Sequence, residues 1–246
     1  MYKICTVIPV YNEAERLEIK TFTEYAAMHK KNALLFVNDG STDDSIAAIN
    51  KIIEGSKANV FLLNMPNNKG KAEAIRHGFN WAFGNLDFTT IGYLDADLAT
   101  PLSEIEYLNS AFDSKDVIMA FGSRIKLQGN EIQRNLKRHY LGRIFATFVS
   151  VILGLDIYDT QCGAKYFRNT ELNRGVFNKE FVSKWFFDLE IFLRLQKLMP
   201  KEKFKNIIKE IPLNIWEEKG ESKLTLMDFI TTPFELLKIK RNSKNN

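Results

Sequence analysis

Thr90-Ile91-Gly92-Tyr93-Leu94-Asp95-Ala96-Asp97 is an apolar run that stops on two carboxylates spaced i, i+2. A strand ending this way carries both carboxylates past the edge of its sheet. Oxygen ligands of this kind suit a hard divalent ion, Mg²⁺ or Mn²⁺, and Mg²⁺ is commonly held by one or two carboxylates plus substrate phosphates. The same pattern also describes a solvated turn, since Asp is frequent after strands. The surrounding sequence decides between the two.

Three further apolar runs precede this one, and each ends in a polar cluster. Ile4 to Val10 leads into Pro9-Val10-Tyr11-Asn12-Glu13. Ala33 to Val37 leads into Asn38-Asp39-Gly40-Ser41-Thr42-Asp43-Asp44. Asn59 to Leu63 is followed by Asn67-Asn68-Lys69-Gly70-Lys71. Helical periodicity lies between them, over about residues 14–30, 43–54 and 71–83, with Asp43 or Thr42 placed to cap the second helix. Alternating strands and helices with buried apolar strands predict an α/β fold, a mostly parallel sheet with helices on both faces. Ligands in such sheets bind at the carboxyl ends of the strands, where all four polar clusters fall.

Pro9-Val10-Tyr11-Asn12-Glu13, Asn38-Asp39-Gly40-Ser41 and Asp95-Ala96-Asp97 resemble the loops of family 2 glycosyltransferases of the Rossmann-like GT-A fold. Gly122-Ser123-Arg124, then Arg134 and Arg138, then Asp159-Thr160-Gln161-Cys162-Gly163-Ala164-Lys165 are similar to the dolichyl-phosphate β-glucosyltransferase branch and to its relative, dolichyl-phosphate mannose synthase. Trp185-Phe186-Phe187-Asp188-Leu189-Glu190 and Gly220-Glu221-Ser222-Lys223-Leu224 extend the likeness, which runs from about residue 4 to 224. It implies a single glycosyltransferase domain over 1–246. About 1–121 would form the nucleotide-sugar half. About 122–246 would form the acceptor half, with an amphipathic C-terminal helix.

By this resemblance Asp39 accepts from the nucleotide base, for which the N3–H of uracil is suited. Pro9, Tyr11 and Glu13 wrap base and ribose, and Tyr11 presents a flat apolar face. Lys71, at a helix start after Gly70, contacts the diphosphate, while Lys69 is solvated. Asp97 binds the metal directly, and Asp95 holds ribose or shares the metal through water. Ala99 stands where mannose-synthase relatives have Gln, which points toward the glucosyl branch. Arg124, Arg134 and Arg138 are the candidates for the acceptor phosphate, because guanidinium groups match phosphate oxygens. Arg134 and Arg138 share a helix face at i, i+4. Lys223 is placed to fold over the diphosphate. Asp159 and Asp188 remain open between catalytic base, sugar-pocket residue and partner of an Arg. His29, His77 and His139 show no ligand spacing.

Composition fits an enzyme working at a membrane surface. A chain of 246 residues, 45% hydrophobic and 26% charged, has ample core for one α/β domain. A formal charge of +4 is too small to argue for nucleic acid. Cys5 and Cys162 form no disulfide framework or zinc pattern, which points to a reducing cytoplasm. The N-terminus enters the first strand directly, without a signal peptide. The apolar run Ile144 to Leu155 is short of the ~20 residues needed to span a bilayer. The amphipathic stretch Leu224 to Leu237 is followed by Lys238, Lys240, Arg241 and Lys244. These features predict peripheral contact with the cytoplasmic membrane face, made directly or through a separate membrane subunit.

The expected activity is inverting transfer of a hexose, glucose from UDP-glucose, to a polyprenyl or dolichyl phosphate. The alternative is a family 2 enzyme with a sugar-hydroxyl acceptor in cell-surface polysaccharide synthesis. A nucleotidyltransferase would want a Gly-rich, Lys-containing loop after the first strand, which Pro9 to Glu13 lacks. A non-catalytic nucleotide-sugar binder is disfavoured by the intact Asp95/Asp97 pair.

Overall fold

The computed structural model describes residues 1–56, 58–133, 154 and 157–219. Arg134, Arg138, Lys223, the greater part of the Ile144–Leu155 run and the Leu224–Leu237 stretch lie outside the described residues. Four strands open the chain: β1 (Tyr2–Val10), β2 (Asn32–Asp39), β3 (Val60–Met65) and β4 (Phe88–Leu94). Helices α1 (Ile19–Met28), α2 (Ser45–Ser56) and α3 (Lys71–Asn85) alternate with them. The second half adds α4 (Glu104–Asn109), β5 (Met119–Ser123), β6 (Glu131–Gln133) and β7 (Ala164–Arg168). It continues with α5 (Glu171–Phe177), α6 (Phe187–Lys197), α7 (Lys201–Ile207), β8 (Ile208–Pro212) and β9 (Ile215–Glu217).

Seven strands form one sheet in the order β3-β2-β1-β4-β7-β5-β8, drawing on both halves of the chain. Only β7 runs against its neighbours: β4 and β5 both pair with it antiparallel, whereas the β1–β2, β1–β4, β2–β3 and β5–β8 pairs are parallel. β6 and β9 make a separate parallel pair. The sheet is covered on both faces, as its uninterrupted apolar strands require. Cys5, Val7, Leu35 and Val37 pack with Ile75 and Phe79 of α3 and with Phe192 of α6 on one face. Ile4, Ile8, Leu34 and Phe36 pack with Phe22 of α1, Ile49 of α2 and Ile105 of α4 on the other.

The expected helix over 14–30 begins later, at Ile19. Residues 12–14 are drawn into a polar lacing with the 41–45 loop: Asn12 N–H donates to Ser41 Oγ, Glu13 N–H to Ser45 Oγ and Ala14 N–H to Asp43 Oδ2. The chain makes an isolated turn here before α1 begins, the Arg16 and Leu17 N–H groups both donating to the Glu13 carbonyl. Asp43 also accepts from the N–H and hydroxyl of Ser45, which opens α2.

The reversal of β7 decides what reaches the site. The carboxyl ends of β1, β2, β4 and β5 share one edge with the amino end of β7, since Leu94 pairs with Ala164. Residues 159–163 therefore approach that edge from the opposite chain direction. α3 reaches the sheet through Gly78. A Cβ there would lie 2.6 Å from Val7 Cγ1 and 2.8 Å from Val37 Cγ2, inside van der Waals contact. Overpacking of this kind costs about 1–3 kcal/mol. Gly78→Val is expected to lower stability by about that amount, read as a fall in the denaturation midpoint at an unchanged slope.

Candidate active site

Each loop at the carboxyl edge is fixed by hydrogen bonds before any ligand is considered. Asp39 ends β2 with a buried carboxylate whose Oδ1 and Oδ2 accept the N–H groups of Lys69 and Gly70, both at 2.8 Å. Its visible task is thus to hold the turn that starts α3, with lone pairs remaining for a base. Gly70 sits there at φ +94°, a conformation that favours glycine. Asn38 Oδ1 accepts from Ser41 N–H, and Asn12, itself at φ 52°, accepts from Thr42 N–H. Tyr11 is exposed at this loop and Pro9 is half-buried in β1. Glu13 pairs with Arg16 at 2.7 Å.

Lys71 and Asp95 form an ion pair across the crevice between α3 and β4. Burial opposes the charge on Lys71, but Asp95 and then Asp188 outweigh it and hold its pKa above the ordinary value. Asp97 is half-buried beside Asp95, and its Oδ1 accepts from Ala99 N–H at 3.0 Å. Burial first, and the Asp95 charge next, raise the Asp97 pKa. The next residue, Leu98, is buried at φ 53°, a left-handed conformation costly for a branched side chain. That bend keeps Asp97 at the edge instead of letting the chain run on. Ala99 contributes backbone alone, its carbonyl accepting from Glu217 N–H next to β9.

Two close carboxylates, one with a raised pKa, form a donor set that a cation relieves. No cluster of three or more His, Cys, Asp or Glu suited to a metal exists among the described residues. The pair accordingly fits an ion that takes one or two carboxylates and completes its shell with phosphate oxygens and water.

The 159–163 loop backs this pair. A Cβ on Gly163 would lie 2.6 Å from Asp95 Cγ, so only glycine admits the carboxylate. Cys162 is buried, and burial pushes its thiol up to about 12, which leaves it neutral. Asp159 is held by Arg124 in a two-pronged pair, Nε to Oδ2 at 2.6 Å and Nη2 to Oδ1 at 2.8 Å. Arg124 also lies over the Trp216 ring at 5.3 Å. Glu210 accepts the N–H groups of Tyr158 and Asp159, at 2.9 and 2.7 Å, and so fixes the loop from below.

Asp188, at the head of α6, is buried, and its Oδ1 accepts from Lys165 Nζ at 2.5 Å and from the Tyr93 hydroxyl. Lys165 is fully buried in β7 and also donates to the Cys162 carbonyl at 2.6 Å. The sequence alone assigns no role to Lys165 or Tyr93. The available sign was a lysine inside the otherwise apolar strand Ala164-Lys165-Tyr166-Phe167. The fold thus gathers Asp39, Lys71, Asp95, Asp97 and Asp188 about one crevice, with Arg124 and Asp159 paired next to them.

A parallel sheet whose carboxyl edge carries a carboxylate pair, a lysine at a helix start and a braced acidic loop has the architecture of a GT-A glycosyltransferase. Glucosyl-3-phosphoglycerate synthase from Mycobacterium tuberculosis, crystallised with Mn²⁺, UDP and glucosyl-3-phosphoglycerate, superposes with a TM-score of 0.67 at 14% identity, covering 98% of this chain and 80% of that one. A mannosyltransferase from Pyrobaculum calidifontis in complex with GDP-Man and Mn²⁺ gives 0.64 at 15% identity, over 100% of this chain and 66% of that one. At these identities the likeness is one of fold.

Residues 5–179 match glycosyl transferase family 2, and the chain belongs to that family. A dolichyl-phosphate beta-glucosyltransferase of Trichomonas vaginalis is 30% identical over 95% of this chain and 69% of its own length. Those of Dictyostelium discoideum and Saccharomyces cerevisiae are also 30% identical, over 90% and 91% of this chain and 68% and 69% of theirs. An undecaprenyl-phosphate 4-deoxy-4-formamido-L-arabinose transferase of Klebsiella pneumoniae is 36% identical over 47% of this chain and 36% of its length.

The contact between residue 163 and Asp95 yields a direct test. Gly163→Ala is expected to displace the Asp95 carboxylate by about 1 Å while sparing the core. Misplacements of about 1 Å can cost on the order of 10²-fold in rate. A loss of turnover of about that size, with an unchanged circular-dichroism melt, is the expected outcome.

Proposed function

We propose that this enzyme transfers glucose from UDP-glucose to a polyprenyl or dolichyl phosphate, with inversion, using Mg²⁺ or Mn²⁺, at the cytoplasmic face of a membrane. The observation that carries the reading is the state of the two carboxylates left open as bases. Asp159 is bound in both oxygens by Arg124, and Asp188 is bound by Lys165 and Tyr93. A sugar-hydroxyl acceptor needs a base to take its proton. A phosphate monoester is largely ionised at pH 7, its second pKa being ~6, and needs none. The relatives named for dolichyl-phosphate and undecaprenyl-phosphate acceptors point the same way.

On this reading the enzyme positions two anions, the donor diphosphate and the acceptor phosphate, and neutralises the diphosphate as it leaves. Tyr11, Asp39 and the 38–45 loop receive the nucleoside. Lys71 stands at the head of α3 to meet the diphosphate. Asp95 and Asp97 would hold the divalent ion, which would supply Lewis-acid neutralisation of the leaving diphosphate. Arg134 and Arg138, joined by Arg124 through the face not taken by Asp159, capture the acceptor phosphate. Lys223 closes over the donor. The acceptor oxygen attacks the anomeric carbon in line, in one displacement. No described helix is long and apolar enough to cross a membrane, so contact is assigned to the basic tail after Leu237, the Ile144–Leu155 run or a separate subunit.

A donor screen with and without polyprenyl phosphate, scoring nucleoside diphosphate release, tests this directly. UDP-glucose with the lipid phosphate is expected to give the highest turnover, and chelator is expected to abolish it. Asp97→Asn should remove several kcal/mol of transition-state stabilisation, leaving no detectable transfer by a folded protein. Turnover on a soluble sugar acceptor alone would favour the hydroxyl-acceptor enzyme. Arg138→Ala is expected to raise the KM for polyprenyl phosphate far more than that for donor. The expected cost is about 1.5–3 kcal/mol for a lost charge-assisted contact. A shift confined to the donor KM would place Arg138 in the diphosphate site.

A further inference from the structure

Lys165, Asp188 and Tyr93 form a buried charged unit that the transfer reaction, as derived above, does not use. Lys165 has no exposed surface, yet its ammonium is satisfied by Asp188 Oδ1 at 2.5 Å and Cys162 O at 2.6 Å, and it lies 5.5 Å from the centre of the Tyr93 ring. Tyr93 is equally buried, and its hydroxyl donates to the same Asp188 oxygen. Both orienting groups therefore converge on Oδ1. The Asp188 side chain keeps 10% of its surface open, beside the end of β4 that carries Asp95.

A buried ion pair is a poor route to stability, because desolvation offsets its attraction. A carboxylate held by two donors on one oxygen is, however, rigid in orientation. What it presents on its other oxygen is a strong, fixed hydrogen-bond acceptor with nothing to donate. In a crevice built for a sugar nucleotide, the matching ligand group is a hydroxyl of the hexose.

We propose that Lys165 and Tyr93 are positioning residues that lock Asp188 through Oδ1, so that Asp188 Oδ2 accepts a hydroxyl of the donor hexose and serves as a sugar-specificity residue, not a base. The inference rests on the donor-site reading given above. It has a chemical corollary for substitution. In Asp188→Asn the amide oxygen must face the two donors, Lys165 and Tyr93, which turns the NH₂ group toward the crevice. The site then offers a donor where it offered an acceptor.

The experiment measures kcat/KM for UDP-glucose and its 2-, 3-, 4- and 6-deoxyglucose analogues in wild type, Asp188→Asn and the double variant Lys165→Met/Asp188→Asn. The double variant removes both buried charges together and is the safeguard should an unpaired Lys165 unfold the single one; thermal melts establish folding. Wild type is expected to penalise one deoxy donor by about 10- to 100-fold, the value of a hydrogen bond to a charged group. That penalty should shrink to about threefold or less in the variants, the other three analogues keeping theirs. An unchanged penalty pattern in a folded variant overturns the inference, as does a wild type indifferent to all four deletions. An equal fall of kcat for every donor would make Asp188 a base and also overturn it. Calorimetry with UDP-glucose separates the two levels: donor binding without any deoxy coupling sinks only this inference, whereas absence of binding removes the donor-site reading and the inference together.

Discussion

The Lys71–Asp95 ion pair joins the start of α3 to the end of β4, and the rest of the crevice is built so that this pair exists where it does. Lys71 reaches it because Asp39 ties down the two residues before it. Asp95 reaches it because Gly163 leaves room behind the carboxylate. Exposed ion pairs contribute little to stability, with a median of roughly 0–1 kcal/mol. The arrangement is therefore better understood as preorganisation. A cation and two carboxylates are held ready at the edge to which the proposed function assigns the donor diphosphate.

The reversed strand β7 supplies the other half of that preorganisation. An all-parallel sheet would send the segment before β7 to the far edge of the molecule. Running antiparallel, β7 instead delivers residues 159–163 next to Asp95 and carries Lys165 into the core under them. One short segment thus places Asp159 on Arg124, Gly163 against Asp95, and the Cys162 carbonyl on Lys165. The Asp-Thr-Gln-Cys-Gly motif has a local physical reason at three of its five positions: an ion-pair partner at Asp159, a buried neutral thiol at Cys162 and an obligatory absence of Cβ at Gly163.

Much of this was legible from residues alone. The four apolar runs ending in polar clusters marked β1 to β4, and the structure extends those strands by a residue or two where edge positions such as Asn38 and Asp39 continue the ladder. The gathering of Asp39, Lys71, Asp95 and Asp97 followed from the parallel-sheet rule. What the pattern could not reveal was non-local. α1 starts late, and the residues at and just before its expected start, Asn12, Glu13 and Ala14, are held by side chains 29 to 32 positions away. The pairing of Arg124 with Asp159 and of Lys165 with Asp188 depends on β7 lying between β4 and β5, a placement with no trace in local periodicity. The two acids left open by sequence acquire their distinct partners only through that topology.

The central claim is that the acceptor is an already ionised phosphate, served by a site in which Asp159 is engaged through both oxygens and Asp188 through one. The most direct test is the structure of the product made from UDP-[1-¹³C]glucose and a short polyprenyl phosphate, read by ¹³C and ³¹P NMR. The account predicts a β-linked glucosyl phosphodiester, with its anomeric carbon split by coupling to phosphorus. An anomeric carbon with no phosphorus coupling, or an α-linked product, would contradict it.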